Sequence, residues 1–227
     1  MAKRTSKNQD PTDVSRIEKK RKKALAGENN AEYRARREEL VQVAATVFNE
    51  LGYEAATLND IAERFGTDRA SVYYYVSGKE ELLHAAIEST MKQNLAEAER
   101  VEKLDLDARE KLELLIKRLV DSYVETYPIS YVYIQNDMTT VAQSKAPWAK
   151  LLRQQTRKFE KIMIAMIQEG VDEGVFDDKV PVLLSANSLF GMLNWTHRWF
   201  KPMGRWKAEE LADAFSHIFF RGIEKRR

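Results

Sequence analysis

One glycine constrains this chain more than any other residue. Gly66 stands between two short helical patterns, TLNDIAERF before it and TDRASVYYY after it. In the first, Leu58, Ile61, Ala62 and Phe65 recur at helical spacing and so share one face. Thr57 offers a hydroxyl to the orphan N–H groups at the start of that helix, and Asp60 completes a capping-box pattern. Gly66 suits the left-handed position that ends a helix, and Thr67 is placed to cap the next one at once. Two helices joined by so short a turn must cross at a large angle, which is helix-turn-helix geometry.

The second helix carries residue types that read a groove. Arg69 can donate a bidentate pair to guanine, Ala70 can touch a thymine methyl, Ser71 can bond either base type, and tyrosine hydroxyls reach phosphate. Tyr73, Tyr74 and Tyr75 are consecutive, and adjacent helical positions point about 100° apart, so the three cannot share one core face. Ser77 and Glu80 form the pattern of a capping box for a third helix, with Lys79 in its first turn. A cation there opposes the helix dipole at a cost of roughly 0.3 kcal/mol or more, which points to an external anion such as a phosphate.

The run from about Arg37 to Leu83 resembles the DNA-binding domain of the TetR/AcrR family of one-component bacterial regulators. The shared elements are the Thr57-capped helix, the Gly66 turn, the Tyr73 to Tyr75 cluster and the helix start Lys79-Glu80-Glu81-Leu82. The resemblance implies that Arg69, Ala70, Ser71 and Tyr74 face bases, while Thr57, Tyr73, Tyr75 and Lys79 hold phosphates. It further implies a homodimer on a palindromic double-stranded DNA operator, and a small-molecule pocket among C-terminal helices.

A chain of 227 residues has room for one or two domains. Its net charge of +2 hides a basic N-terminal end that includes Lys19, Lys20, Arg21, Lys22 and Lys23. Residues 1–33 read as a basic flexible arm, with a DNA contact and a solubilising tail as its two readings. Residues 34–83 form the helix-turn-helix domain, whose first helix, Arg34 to Leu51, buries Leu40, Val43, Ala44, Val47, Phe48 and Leu51. Arg36 and Arg37 at its start are expected on the DNA side. Residues 84–227 form a helical effector-binding and dimerisation domain. Its helices are expected from Glu80 to about Leu104, Ala108 to Tyr127, Ile129 to Val141, Trp148 to Val171, Val180 to Phe200 and Ala208 to Arg221. The fifth of these is apolar nearly all round and is expected to be buried on several sides. No alternating strand pattern survives, so the fold class is all-α. The last two helices suit either a homodimer interface or a monomer core.

Cysteine is absent, which excludes thiol catalysis and cysteine metal sites. His84, His197 and His217 lie far apart, and no nucleotide loop or nucleophile elbow occurs, so neither a catalytic residue, a metal site nor a cofactor is expected. No export signal and no membrane-length apolar run is present, and the expected location is cytoplasmic, with no membrane partner.

Aromatic and methionine residues accumulate in the C-terminal part beside Gln135, Asn136, Asn187, Asn194, His197 and Arg198. Such polar groups are either satisfied within a core or serve as anchors in an apolar cavity. The run Arg198-Trp199-Phe200-Lys201-Pro202 resembles the segment that closes the same helix in TetR-family repressors of lipid catabolism that sense acyl-CoA thioesters. That resemblance implies a small hydrophobic effector such as an acyl-CoA, with Arg198 and Trp199 fitting the pattern; Tyr127, Gln135, Met163, Asn194 and Trp195 are expected as further contacts from the aromatic, methionine and polar groups gathered there. Phe190 and Asn194 depart from the steroid-responsive members, so their ligand is not carried over. A drug, a flavonoid or a free fatty acid stays open.

Overall fold

The computed structural model describes residues 30–127, 130 and 145–224. Residues 1–29 of the basic arm expected over 1–33, most of the expected Ile129 to Val141 helix and the expected effector contact Gln135 lie outside them. The described residues form eight α-helices, one 3-10 turn and no strand. The chain divides into two compact units, Met1–Ala86 and Ile87–Arg227.

In the first unit, α1 (Asn30–Leu51) buries Leu40, Val41, Ala44, Val47 and Phe48 against α2 (Leu58–Phe65). The helix starts four residues earlier than the expected Arg34 and brings Tyr33, 5% exposed, into the unit. Leu51, expected inside, is half exposed, and Val41 takes the inner place. Gly52 ends α1 at a φ of 80°.

Helix α2 is closed at both ends as its sequence requires. Asp60 N–H donates to the Thr57 hydroxyl at 3.3 Å, and the Asp60 carboxylate accepts from Thr57 N–H at 2.7 Å. The Thr57 hydroxyl donates back to the same carboxylate at 2.7 Å, and this bond holds the Asp60 carboxyl below its usual range. Stability from this box is therefore present above the ordinary carboxylate range and lost as pH falls through the depressed value. Gly66 adopts φ 74°, and Thr67 N–H reaches back to the Ala62 carbonyl at 2.9 Å, a left-handed stop that only glycine makes without strain. The cap of α3 (Arg69–Tyr75) is Asp68, not Thr67: the Asp68 carboxylate accepts from Ser71 N–H at 2.8 Å.

Helix α4 (Lys79–Glu102) begins differently from expectation. Ser77 N–H and hydroxyl both donate to Glu81, at 2.8 and 2.9 Å, so Glu80 is not its partner. The Lys79 ammonium donates to the carbonyls of Tyr53, Glu54 and Ala56 at 2.6, 3.3 and 3.1 Å and lies 4.4 Å over the Tyr53 ring. The anion inferred outside the protein is thus replaced by carbonyls inside it. They belong to the loop between α1 and α2, which Lys79 ties to the start of α4.

In the second unit, α5 (Ala108–Glu125) packs against α6 (Pro147–Asp172) and α8 (Ala208–Ile223), and α6 against α7 (Val182–Trp195). Leu112, Leu115, Ile116, Met163 and Met166 are almost wholly enclosed there. Lys111, 6% exposed, donates to Glu169 at 2.7 Å and so joins α5 to α6. Gly170 lets the chain after α6 fold back: its carbonyl accepts from Val175 and Phe176, both at 2.9 Å, and Phe176 stacks on Phe220. Helix α7 is not buried on several sides in the single chain. Ser185, Ala186 and Leu189 face inward, whereas Leu183 and Leu184 are each 57% exposed.

A Cβ at position 170 would sit 2.3 Å from the Phe176 ring, which is itself pinned by Phe220. Gly170→Ala is expected to lower stability by about 1–3 kcal/mol in urea unfolding, with helical circular dichroism unchanged in buffer. Lys79→Met keeps the apolar stem but leaves three carbonyls without their cation, and is expected to cost about 1–2 kcal/mol in the same measurement.

Candidate functional site

Helix α3 has a closed inner side and an open outer one. Val72 and Val76 have no exposed surface, which fixes the helix against its own unit. Arg69 and Ala70 are exposed on the other side, with Tyr73 and Tyr74 half-buried one turn further on. The Arg69 guanidinium donates to the Tyr73 hydroxyl at 3.0 Å and lies 5.5 Å over its ring, so the two side chains hold each other in the outward position. Tyr74 and Tyr75 are gathered by Tyr33: its ring stacks on Tyr75 at 5.2 Å and meets Tyr74 edge-on at 5.4 Å. Burial pushes the Tyr75 phenol above its usual range, which keeps it a neutral hydrogen-bond donor.

The three tyrosines therefore do not turn together into the interior. Tyr75 is the most committed to packing, between Tyr33 and Phe65. Thr57 is exposed at the head of α2. The Ser71 hydroxyl donates to Asp68 at 3.3 Å and belongs to the cap of α3. Arg36 pairs with Glu39 at 2.5 Å and lies 4.1 Å over the Phe65 ring, and Arg37 pairs with Glu81 at 3.1 Å. Both arginines have partners within the unit. Tyr33 went unnoticed in the sequence although it stands two helical turns before Leu40 on the same face.

The second unit encloses a cavity of about 290 Å³, close to the lower end of the ~300–1,000 Å³ typical of ligand sites. Helix α4 contributes Ile87, Thr90, Met91 and Asn94, and α5 contributes Leu119, Val120, Ser122 and Tyr123. Thr156, Phe159 and Glu160 come from α6, and Asn187, Phe190, Leu193 and Asn194 from α7. On α4 these are the i, i+3, i+4 and i+7 positions, and each of the other helices likewise contributes one face.

Of the described residues expected to meet an effector, Asn194 is on this wall. Met163 has no exposed surface and sits in the core behind it, and Tyr127 packs on Tyr123 at 6.1 Å. Trp195, Arg198 and Trp199 are exposed. The Arg198 guanidinium lies 4.6 Å over the Trp195 ring, and Trp199 meets Phe200 and Phe215 edge-on. A helix of strongly apolar composition suggested an inward Trp195, but position 195 falls on the outer side of α7, in line with Leu184.

No cluster of metal-ligating side chains occurs among the described residues, and no described helix is long and apolar enough to cross a membrane.

Comparison with known proteins bears on both units. Residues 40–86 match the profile of "Bacterial regulatory proteins, tetR family", and residues 105–223 match "Tetracyclin repressor-like, C-terminal domain". The HTH-type transcriptional repressor KstR2 of Rhodococcus jostii (strain RHA1) is 24% identical over 188 residues, 83% of this chain and 91% of the relative. The solved structure of the ketosteroid transcriptional regulator KstR2 of Mycobacterium tuberculosis is 22% identical with a TM-score of 0.72, covering 84% of this chain and 96% of that one. AibR, solved in complex with isovaleryl coenzyme A and operator DNA, is 22% identical with a TM-score of 0.67, covering 82% and 98%. At these identities the solved structures speak for a common fold. The C-terminal profile alone spans more than half of the sequence and the N-terminal one spans the helix-turn-helix, so the chain belongs to the TetR family of bacterial regulators, which are not enzymes.

Proposed function

We propose that the protein is a dimeric repressor that leaves a palindromic operator when an acyl-CoA thioester binds its second unit. The observation that carries the reading is the two-sidedness of α3: Val72 and Val76 closed inside, Arg69, Ala70 and Tyr73 presented outward. A helix held so, behind a tight glycine turn, enters a major groove with its side chains aimed at base edges. In this reading Arg69, Ala70 and Tyr74 read bases, and Thr57 and Tyr73 position the backbone. The repressor KstR2 and the operator complex of AibR support this reading by family.

Dimerisation rests on exposed apolar surface. Leu184, Trp195 and Ile218 are 57%, 58% and 60% exposed on α7 and α8, apolar surface of the kind that marks a protein interface. A second copy covers them, and the two-fold pair sets two α3 helices about 34–36 Å apart or a multiple of that.

The effector places its acyl group in the cavity. Arg198 and Trp199, outside it, offer a guanidinium and an indole to the phosphate-bearing carrier. AibR with isovaleryl coenzyme A supports the ligand class.

Three outcomes are expected. Arg69→Ala loses about 1–3 kcal/mol of discrimination between operator and scrambled duplex in fluorescence anisotropy, while its affinity for random DNA changes little. The double substitution Leu184→Glu, Ile218→Glu gives a folded monomer by light scattering and no operator binding where the parent protein saturates; a persistent dimer would refute the interface. Medium-chain acyl-CoAs raise the melting temperature and release operator, with a coupling of ~1–3 kcal/mol between the two ligands.

A further inference from the structure

The cavity wall is more polar than an alkyl chain requires. Among its apolar groups stand the amides of Asn94, Asn187 and Asn194 and the carboxylate of Glu160. None of these four side chains hydrogen-bonds to another described residue. Two hydroxyls of the wall are already engaged: that of Thr196 donates to the Met192 carbonyl at 2.9 Å, and that of Ser130 shares a bond of 2.6 Å with Thr126. Asn94 and Glu160 are half-buried, while Asn187 and Asn194 are exposed where they line the cavity and so mark its rim.

Charge narrows the choice further. Glu160 is the one charged side chain among the described wall residues, and no lysine or arginine accompanies it. A carboxylate drawn into this space would meet a like charge, with no cation among the described wall residues to offset it. A saturated chain would strip water from the half-buried Asn94 and Glu160 and return nothing to them.

The geometry points to an effector whose enclosed part is an electrically neutral, oxygenated acyl group, carrying a hydroxyl or keto function in addition to its thioester carbonyl. This rests on the acyl-CoA reading for the carrier but not for the cavity chemistry. The amides donate to the carbonyl or keto oxygen and accept from a hydroxyl, and Glu160 accepts a hydroxyl proton. Selection against free acids follows from the same carboxylate. Asn94 and Glu160 determine specificity inside, and Asn187 and Asn194 at the rim.

The test uses the full-length protein and calorimetric titration with hexanoyl and 3-hydroxyhexanoyl groups, each presented on coenzyme A, on N-acetylcysteamine, which carries no phosphate, and as the free acid. The hydroxylated thioester is expected to bind at least about tenfold more tightly than the saturated one on either carrier, and the free acids at least about tenfold more weakly than their thioesters. Glu160→Gln is expected to narrow the gap between thioester and free acid, and Asn194→Leu, at the exposed rim where folding is least at risk, to narrow the gap between hydroxylated and saturated chains. If both thioesters bind equally, or the saturated one better, the inference is overturned while the acyl-CoA reading stands. If coenzyme A thioesters fail but the N-acetylcysteamine pair keeps its preference, the cavity chemistry is supported and the acyl-CoA reading falls. Binding on neither carrier overturns both.

Discussion

A helix of seven residues does not hold together in water, since the cost of nucleating it exceeds what so few hydrogen bonds return. Everything that α3 offers to a duplex therefore depends on how it is held from behind. Val72 and Val76 supply the apolar contact, Asp68 satisfies an N–H at its start, and the left-handed Gly66 sets the direction in which it leaves α2. The Thr57–Asp60 box fixes the other end of α2, so that both helices of the motif are anchored by local chemistry. Only after these demands are met do Arg69 and Tyr73 have a fixed platform from which to point outward.

The same separation explains which parts of the molecule were legible in its amino acids. Gly66 and the Thr57–Asp60 pair were readable because their demands are local: a left-handed φ and two orphan donors leave few residue choices. Asp68 and Glu81 were missed because Thr67 and Glu80 satisfy the same pattern one position earlier, and only the start of each helix decides between them. Lys79 was misread for a different reason. Its partners are carbonyls more than twenty residues away, and nothing in a local pattern announces a loop folded back over a helix start. Tyr33 lay on the visible stripe of α1, but the surrounding basic sequence hid it.

In the second unit the helix positions followed from periodicity, whereas the site did not. Composition places Trp195 and Met163 in an aromatic and methionine-rich region, yet one is exposed and the other is sealed in the core. A cavity is what remains after several helices have packed, and its wall is drawn from one stripe of each, so no contiguous run of sequence marks it. Apolar character all round α7 carried real information of another kind. Leu189 and Ala186 fill the core, while Leu183 and Leu184 stay exposed, so the helix has one apolar face more than its own core uses.

Helix α4 is where the two parts of the proposed mechanism meet. It runs unbroken from Lys79, whose ammonium holds the loop before α2, to the stretch in which Ile87, Met91 and Asn94 line the cavity. In the proposed mechanism, a ligand that fills the cavity acts on this helix two to four turns from the Lys79 contact. The change has to be discrete to matter, because a ligand shifts an equilibrium only by its difference in affinity for the two states. For an effector to lower operator affinity a hundredfold, that difference must be about 2.7 kcal/mol, and operator binding must weaken the effector by the same amount. The polar wall bears on this directly: hydrogen bonds to Asn94 are lost on small displacements, far more steeply than apolar contacts are, so an oxygenated ligand discriminates between two positions of α4 where a plain alkyl chain would tolerate both.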